Sequence, residues 1–260
     1  QINKFNKDGY IIIRDVIDSK IIKEIFFEIS EVLEISLNNL NVPNVNKKSV
    51  EKKFEMLKNL NPVLKSHCYD IIGKLNSVRK ITINKKILDF IQNFLRTSLA
   101  IQSVQVRIDD SSNERILPMH QELEMMSLMT LTTWIPLTNT NKIKGGIRVI
   151  PGSHKLGLLK HIDRKKTNST YNRVILDKKN KIKELQIKKG DALIFHPLLV
   201  HGSVPNNQKK TRWTIVFRWS DLKHMPYLKN ENASIRMSRN PNEKEPGCEF
   251  IKNFIKNESN

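Results

Sequence analysis

Lys189-Gly-Asp-Ala-Leu-Ile-Phe-His-Pro-Leu-Leu-Val-His-Gly-Ser203 reads as a turn, an apolar strand and a second turn. Lys189-Gly190-Asp191 supplies the first turn, Ala192 to Val200 is an apolar run of strand length, and His201 ends it just before Gly202-Ser203. The same grammar extends outward on both sides. Short β segments are expected at Leu99 to Ile108, Leu128 to Leu137, Ile147 to Ile150, Arg173 to Leu176, Glu184 to Ile187, Ala192 to Val200 and Arg212 to Trp219. Turn signals separate them, at Lys144-Gly145-Gly146, Pro151-Gly152-Ser153 and Val204-Pro205-Asn206-Asn207. Strands at this spacing, with no helix between them and no internal repeat, predict a mainly β fold of the sandwich or jelly-roll type.

The first hundred residues follow a different pattern. A short helical turn precedes a buried strand at Tyr10 to Ile13, and Asp18 or Ser19 then caps a helix in which Ile21, Ile22, Ile25, Phe26, Ile29 and Leu33 recur at three- and four-residue spacing. Further helical periodicity covers roughly 49–75 and 84–94. The expected organisation is one domain over 1–260: a mostly helical flank (1–98), a β core (99–221) and a polar C-terminal extension (222–260) with a short amphipathic piece at Phe250 to Ile255.

Composition narrows the class. With 38% hydrophobic and 27% charged residues the chain is globular rather than disordered. Its longest apolar runs fall far short of the roughly 20 residues that cross a bilayer, and no signal peptide is visible, so a cytoplasmic home is the default expectation. Cys68 and Cys248 stand apart from any zinc-type spacing and are read as isolated thiols. The formal charge of +19 comes mostly from scattered lysine pairs such as Lys47-Lys48, Lys52-Lys53 and Lys85-Lys86. No aromatic residues interleave them as base-stacking platforms would, so no nucleic-acid partner is expected; attraction to an anionic small-molecule substrate stays open. The sequence leaves the oligomeric state undefined.

His120-Gln121-Glu122 lies between two strand regions, and residues two apart on an extended segment project to the same side. His120 and Glu122 can therefore share one ion, with His201 as a third ligand from a distant part of the chain. Two imidazoles and one carboxylate leave positions open for a co-substrate and oxygen, the donor set of non-haem iron(II) oxygenases, although zinc accepts the same ligands. A lone His-x-Glu is weak evidence, and its neighbourhood carries the argument. His154 sits in a Pro-Gly-Ser turn and His196 is five residues before His201, so neither is taken as a ligand. Met119, Met125, Met126 and Met129 around the motif are read as core packing.

Four ordered blocks carry a family resemblance: Met119-His-Gln-Glu122, Trp134-Ile-Pro-Leu137, Gly145-Gly-Ile-Arg-Val-Ile-Pro-Gly-Ser-His154 and Lys189 to Ser203, with Asp8-Gly-Tyr-Ile-Ile-Ile-Arg-Asp as a typical opening strand. With these blocks the chain resembles the phytanoyl-CoA dioxygenase (PhyH) family of Fe(II)/2-oxoglutarate-dependent oxygenases. The resemblance implies a double-stranded β-helix, a cupin-like jelly roll with N-terminal helices, and a metal on His120, Glu122 and His201. It also implies that Arg212, eleven residues after His201, and Ser203, two after it, hold the far carboxylate of 2-oxoglutarate. Arg218 is a rival for Arg212 at a less fitting offset. Gln105 and Arg107 alternate on a strand and, by the same resemblance, face the cavity to contact co-substrate or substrate. The family usually has Asp where this chain has Glu122; glutamate offers the same anionic oxygen on a longer stem, whereas Gly or Ala there would have pointed to halogenation.

The implied reaction consumes O2 and 2-oxoglutarate, releases succinate and CO2, and hydroxylates an unactivated C–H bond of a small metabolite or natural-product intermediate, with ascorbate as an auxiliary reductant. Desaturation, cyclisation or epoxidation by the same chemistry is the alternative outcome. A non-catalytic cupin-like module that binds a metal or ligand is the alternative class.

Overall fold

The computed structural model describes residues 1–96, 98–109, 116–122, 130–140, 145–162, 172–177, 179–206 and 211–224. The expected features at Met125, Met126, Met129, Cys248 and 250–255 lie outside the described residues.

The helical flank begins with α1 (Ile2–Asp8), followed by strand β1 (Tyr10–Ile13). α2 (Ser19–Asn38) starts where its cap predicts: Asp18 is extended, and its carboxylate accepts hydrogen bonds from the Lys20 and Ile21 amides. Its stripe of Ile22, Ile25, Ile29, Leu33 and Leu37 is buried, each side chain contributing roughly 1.5–3 kcal/mol by leaving water. The periodic stretch 49–75 is two helices, α3 (Val50–Leu60) and α4 (Pro62–Ile72). Pro62 disfavours helical geometry at Asn61, which is extended and uses its side chain to cap α4 at the Leu64 amide. α5 (Asn76–Ile81), which the periodicity did not single out, and α6 (Lys85–Leu95) complete the layer. No helix among the described residues is long and apolar enough to cross a membrane.

The β region holds β2 (Leu99–Asp109), β3 (Thr130–Pro136), β4 (Ile147–Val149), β5 (His161–Ile162), β6 (Arg173–Val174), β7 (Lys183–Glu184), β8 (Ala192–Phe195), β9 (His201–Ser203) and β10 (Arg212–Asp221). One antiparallel sheet has the order β1-β8-β3-β10-β2 and a smaller one β7-β4-β9, with β5-β6 as a separate pair. Strand β1 therefore belongs to the large sheet although it lies in the helical flank, pairing residue by residue with β8. Together the sheets form the expected jelly roll.

Alternation on β10 sorts its side chains. Trp213, Ile215, Phe217 and Trp219 join Val106, Ile108, Ile135 and Ile194 in the core shared with the helices. Val216 faces the other way, into an inner cluster with Tyr10, Trp134, Ile147, Val149, Leu193 and Phe195 between the two sheets. Arg212, Thr214 and Arg218 share the parity of Val216 and so belong to the inner face.

The expected strand from Ala192 to Val200 is two strands. Pro197 has no N–H for a ladder, and Leu199 N–H donates to His196 O in a turn between β8 and β9. His201 consequently opens a strand in the other sheet, so His196 and His201 do not lie on one strand. The preceding Lys-Gly-Asp turn needs its glycine: Gly190 has φ of 83°, and a Cβ there would collide with the Ile17 carbonyl. Gly190 O accepts from the Val16 and Ile17 amides, and Asp191 accepts from Asp15 N, fastening the N-terminal segment to this turn. Cys68 is a buried free thiol, 2.9 Å from Ser36 Oγ.

Trp213 is fully buried, with Phe26 and Phe54 edge-on at ring-centroid separations of 5.7 and 5.8 Å. Trp213→Ala should destabilise the protein by about 3–5 kcal/mol in chemical denaturation, because it removes the ring joining helix layer to sheet.

Candidate metal centre

His120 and His201 meet as an antiparallel bridge in which each donates its amide to the other's carbonyl, at 2.8 and 3.0 Å. Val149 opposite His201, and Ile147 opposite Ser203, are both in the inner cluster, so His201 and Ser203 are on the inner side of the small sheet. Glu122 is fixed two residues beyond His120 by its amide donating to Pro197 O at 3.0 Å. Gln121, between them, turns away: its side-chain amide donates to Gly157 O and Leu198 O and accepts from Leu159 N. The alternation expected of the motif thus holds.

The three side chains are buried, at 0%, 6% and 5% exposure for His120, Glu122 and His201. One donor atom from each lies within 4.8 Å of the others. Glu122 Oε1 is 3.5 Å from His201 Nε2 and 4.0 Å from His120 Nε2. On the far side of each ring, Nδ1 meets a backbone carbonyl, Pro118 O at 2.8 Å for His120 and Leu199 O at 2.9 Å for His201. A carbonyl only accepts, so Nδ1 carries a hydrogen in each ring, and the two Nε2 atoms converge with a carboxylate oxygen. A cation placed among the three atoms would meet a donor atom from each residue.

Electrostatics favour the same protonation states. Burial pulls His120 down to about 3, and neighbouring His201 reinforces the shift. Burial alone would raise Glu122, but Arg218 and the two histidines hold its carboxyl well below the ordinary range. At neutral pH His120 is neutral and Glu122 anionic, the states in which such groups can bind a metal.

Arg212 is buried on β10 and pairs with Asp109 of β2, Nη2 at 2.7 Å and Nε at 3.3 Å from Oδ2. Its Nη1 is a buried donor with no hydrogen bond among the described residues. Gly145 permits the close approach there, since a Cβ would lie 2.7 Å from Nη1. Arg212 therefore has an interior protein carboxylate as partner and one direction of its guanidinium still open. Gln105 and Arg107 pair across from Val216 and Thr214, which puts both on the inner face with Arg212. Arg107 is loosely held, its Nη2 3.5 Å from Asp109 Oδ1, and its charge reaches His120, whose pKa it lowers. His154 and His196 lie against each other with tilted rings, 5.3 Å between centroids, and the candidate metal cluster does not include them.

Sequence reasoning assigned no role to Asp109, and it considered Arg218 only as a rival for Arg212. The structure puts Arg218 on Glu122 instead, Nη2 at 2.7 Å and Nε at 3.2 Å from Oε2. The parity of β10 was the available signal, since Arg212 and Arg218 must share one face of a strand whose other face is aromatic and aliphatic.

The jelly roll carries a buried set of two histidines and a carboxylate, the donor set of two-histidine, one-carboxylate non-haem metal sites. Residues 5–214 match the family model described as Phytanoyl-CoA dioxygenase (PhyH), and the chain belongs to that family. Among curated relatives, the peroxisomal phytanoyl-CoA dioxygenase of Homo sapiens is 35% identical over 107 residues, covering 38% of this chain and 31% of that protein. A probable phytanoyl-CoA dioxygenase of Caenorhabditis elegans is 26% identical over 125 residues, 45% of this chain and 40% of that protein. The matched stretch thus spans only about a third of the human relative's length.

Two solved structures share the fold over most of their length. The epimerase SnoN, in complex with Fe3+, alpha-ketoglutarate and nogalamycin RO, has a TM-score of 0.60 at 13% identity, covering 94% of this chain and 90% of that one. HygX from Streptomyces hygroscopicus, with nickel and 2-oxoglutarate bound, has a TM-score of 0.56 at 14% identity, covering 85% and 86%.

If the three ligands hold a metal, Mn(II) or anaerobic Fe(II) at about 100 times its Kd should stabilise the protein by about 2.7 kcal/mol. His120→Ala and Glu122→Ala should fold, by far-ultraviolet circular dichroism, yet show no metal-dependent rise in Tm. An undiminished rise in either variant would place the metal elsewhere.

Proposed function

We propose that the protein is an Fe(II)- and 2-oxoglutarate-dependent dioxygenase that hydroxylates an unactivated C–H bond of a small metabolite or natural-product intermediate. The observation carrying this reading is the convergence of two imidazole nitrogens and one carboxylate oxygen on a buried point at the inner face of the jelly roll. Bound iron would supply activation of O2 coupled to oxidative decarboxylation of 2-oxoglutarate to succinate and CO2.

The remaining work belongs to the chain. His120, Glu122 and His201 would hold the metal, a donor set that leaves room for co-substrate and oxygen. Arg212 receives the far carboxylate of 2-oxoglutarate through Nη1, while Asp109 holds the rest of the guanidinium in place. Ser203, two residues after His201 on the same face, adds a hydroxyl donor to that carboxylate. Gln105 and Arg107 line the same face and contact co-substrate or substrate; Arg107 suits an anionic group there. The inner cluster around Trp134, Phe195 and Val216 keeps this region dry, which strengthens each charged contact. We take the chain as one oxygenase domain in a cytoplasmic setting. The single-domain reading is supported by the core that helices and large sheet share.

An outcome other than hydroxylation is the second reading. It is favoured by the range of activities named for proteins of this fold, which include the epimerase SnoN and the carbocyclase SnoK.

With Fe(II), ascorbate and 2-oxoglutarate supplied, the protein should form succinate, and no succinate under any iron loading would favour a non-catalytic cupin-like module. Arg212→Ala should raise the half-saturating 2-oxoglutarate concentration roughly 10- to 100-fold, the equivalent of a charge-assisted hydrogen bond of about 1.5–3 kcal/mol. Unchanged saturation would remove Arg212 from the co-substrate site.

A further inference from the structure

Glu122 uses its two carboxylate oxygens differently. Oε1 is the atom nearest both histidine Nε2 atoms, whereas Oε2 accepts from Arg218 Nε and Nη2 at 3.2 and 2.7 Å. The two donors lie on one edge of a rigid guanidinium, so the contact fixes orientation as well as charge. A third guanidinium nitrogen, Nη1, lies 3.4 Å from Ser103 Oγ, which ties the arginine to the neighbouring strand.

The backbone is shaped for this contact. β10 and β2 run in register from Arg212↔Asp109 to Phe217↔Val104, then slip, so that Trp219 pairs with Ile101. At the slip Arg218 stands opposite two residues of β2, Gln102 and Ser103, as in a β-bulge. The outward apolar positions of β2 show the same slip: Val104, Val106 and Ile108 are spaced by two, whereas Ile101 lies three before Val104. The extra residue lets the outer face keep its packing while Ser103 is presented to Arg218.

We propose that Arg218 is a positioning residue that takes Oε2 of Glu122, so that the carboxylate offers the metal one oxygen, and that Glu122 and Arg218 form a matched pair replacing the aspartate usual at this position. The pairing explains the longer side chain. With its amide held on Pro197 O, residue 122 must span from the histidines to Arg218. Aspartate, shorter by one C–C bond of about 1.5 Å, reaches one of them but not both. Confining Glu122 to one oxygen also preserves an open position, since a chelating carboxylate would take one of those needed for 2-oxoglutarate and oxygen.

This inference rests on the proposed metal site, and Mn(II) binding by the wild-type protein tests that site independently. The experiment is a double-mutant cycle on Mn(II) affinity, with Tm of the metal-free protein followed in parallel. Arg218→Gln should weaken Mn(II) binding about 10- to 100-fold, the usual cost of losing an outer-shell partner. In a Glu122→Asp background the same change should cost less than about threefold, because contacts already lost do not couple. Arg218→Lys, keeping the charge without the two-pronged grip, should fall between Arg218→Gln and the wild type. If Arg218→Gln does not fold, Arg218→Lys decides alone, with a several-fold loss expected. Wild-type Mn(II) affinity in Arg218→Gln, or in Arg218→Lys when that variant decides alone, would overturn the proposal, as would equal losses in both backgrounds. A drop in Tm alone would mark Arg218 as merely structural.

Discussion

The two backbone hydrogen bonds exchanged by His120 and His201 are the constraint on which the site depends. They join segments 81 positions apart, at the edge of the small sheet, and set the two rings 4.2 Å apart between centroids. Everything next to them serves that approach. Pro197 ends one strand so that His201 can begin another, and its carbonyl holds the Glu122 amide. Gln121 secures the loop behind the motif through three backbone contacts. The carbonyls of Pro118 and Leu199 fix which nitrogen of each ring carries its hydrogen. A ligand set is rigid here because its backbone is hydrogen-bonded before any metal arrives.

The large sheet separates two environments. Its outer face packs aromatic and aliphatic side chains against the helices, while its inner face carries Arg107, Arg212 and Arg218 beside Asp109 and Glu122. Burying charge is costly unless each is matched, and the observed pairs meet that requirement with short, charge-assisted contacts. Two arginines on one strand nevertheless do different work. Arg218 is committed to Glu122, whereas Arg212 retains a buried donor facing Gly145. Beyond these pairs the inner face has one more cation than carboxylates among the residues named, which suits the capture of an anionic co-substrate.

Much of this was legible in the sequence. Strand length, turn glycines and the apolar stripe of α2 are local signals, and they located most elements to within a few residues. Asn61-Pro62 shows the limit of periodicity: the apolar repeat runs on across it, but a proline imposes extended geometry on its predecessor and divides the helix. The apolar run from Ala192 to Val200 hid a change of sheet for a similar reason, since hydrophobicity is blind to the missing N–H of Pro197. The three residues of the candidate site could be named because residues two apart on extended chain project to one side and the blocks around His201 carried the family resemblance. Asp109 and the Arg218–Glu122 pair could not be named, because strand register decides which polar residues face each other and the bulge at Gln102 and Ser103 resets it.

The central claim is that His120, Glu122 and His201 hold iron with positions left for 2-oxoglutarate. Anaerobic titration of the protein with Fe(II) and then 2-oxoglutarate tests it most directly. A visible metal-to-ligand charge-transfer band should grow to one equivalent of each in the wild type and be absent from His201→Ala. A stoichiometric band in that variant, or none in a wild-type protein shown to bind Fe(II), would contradict the account.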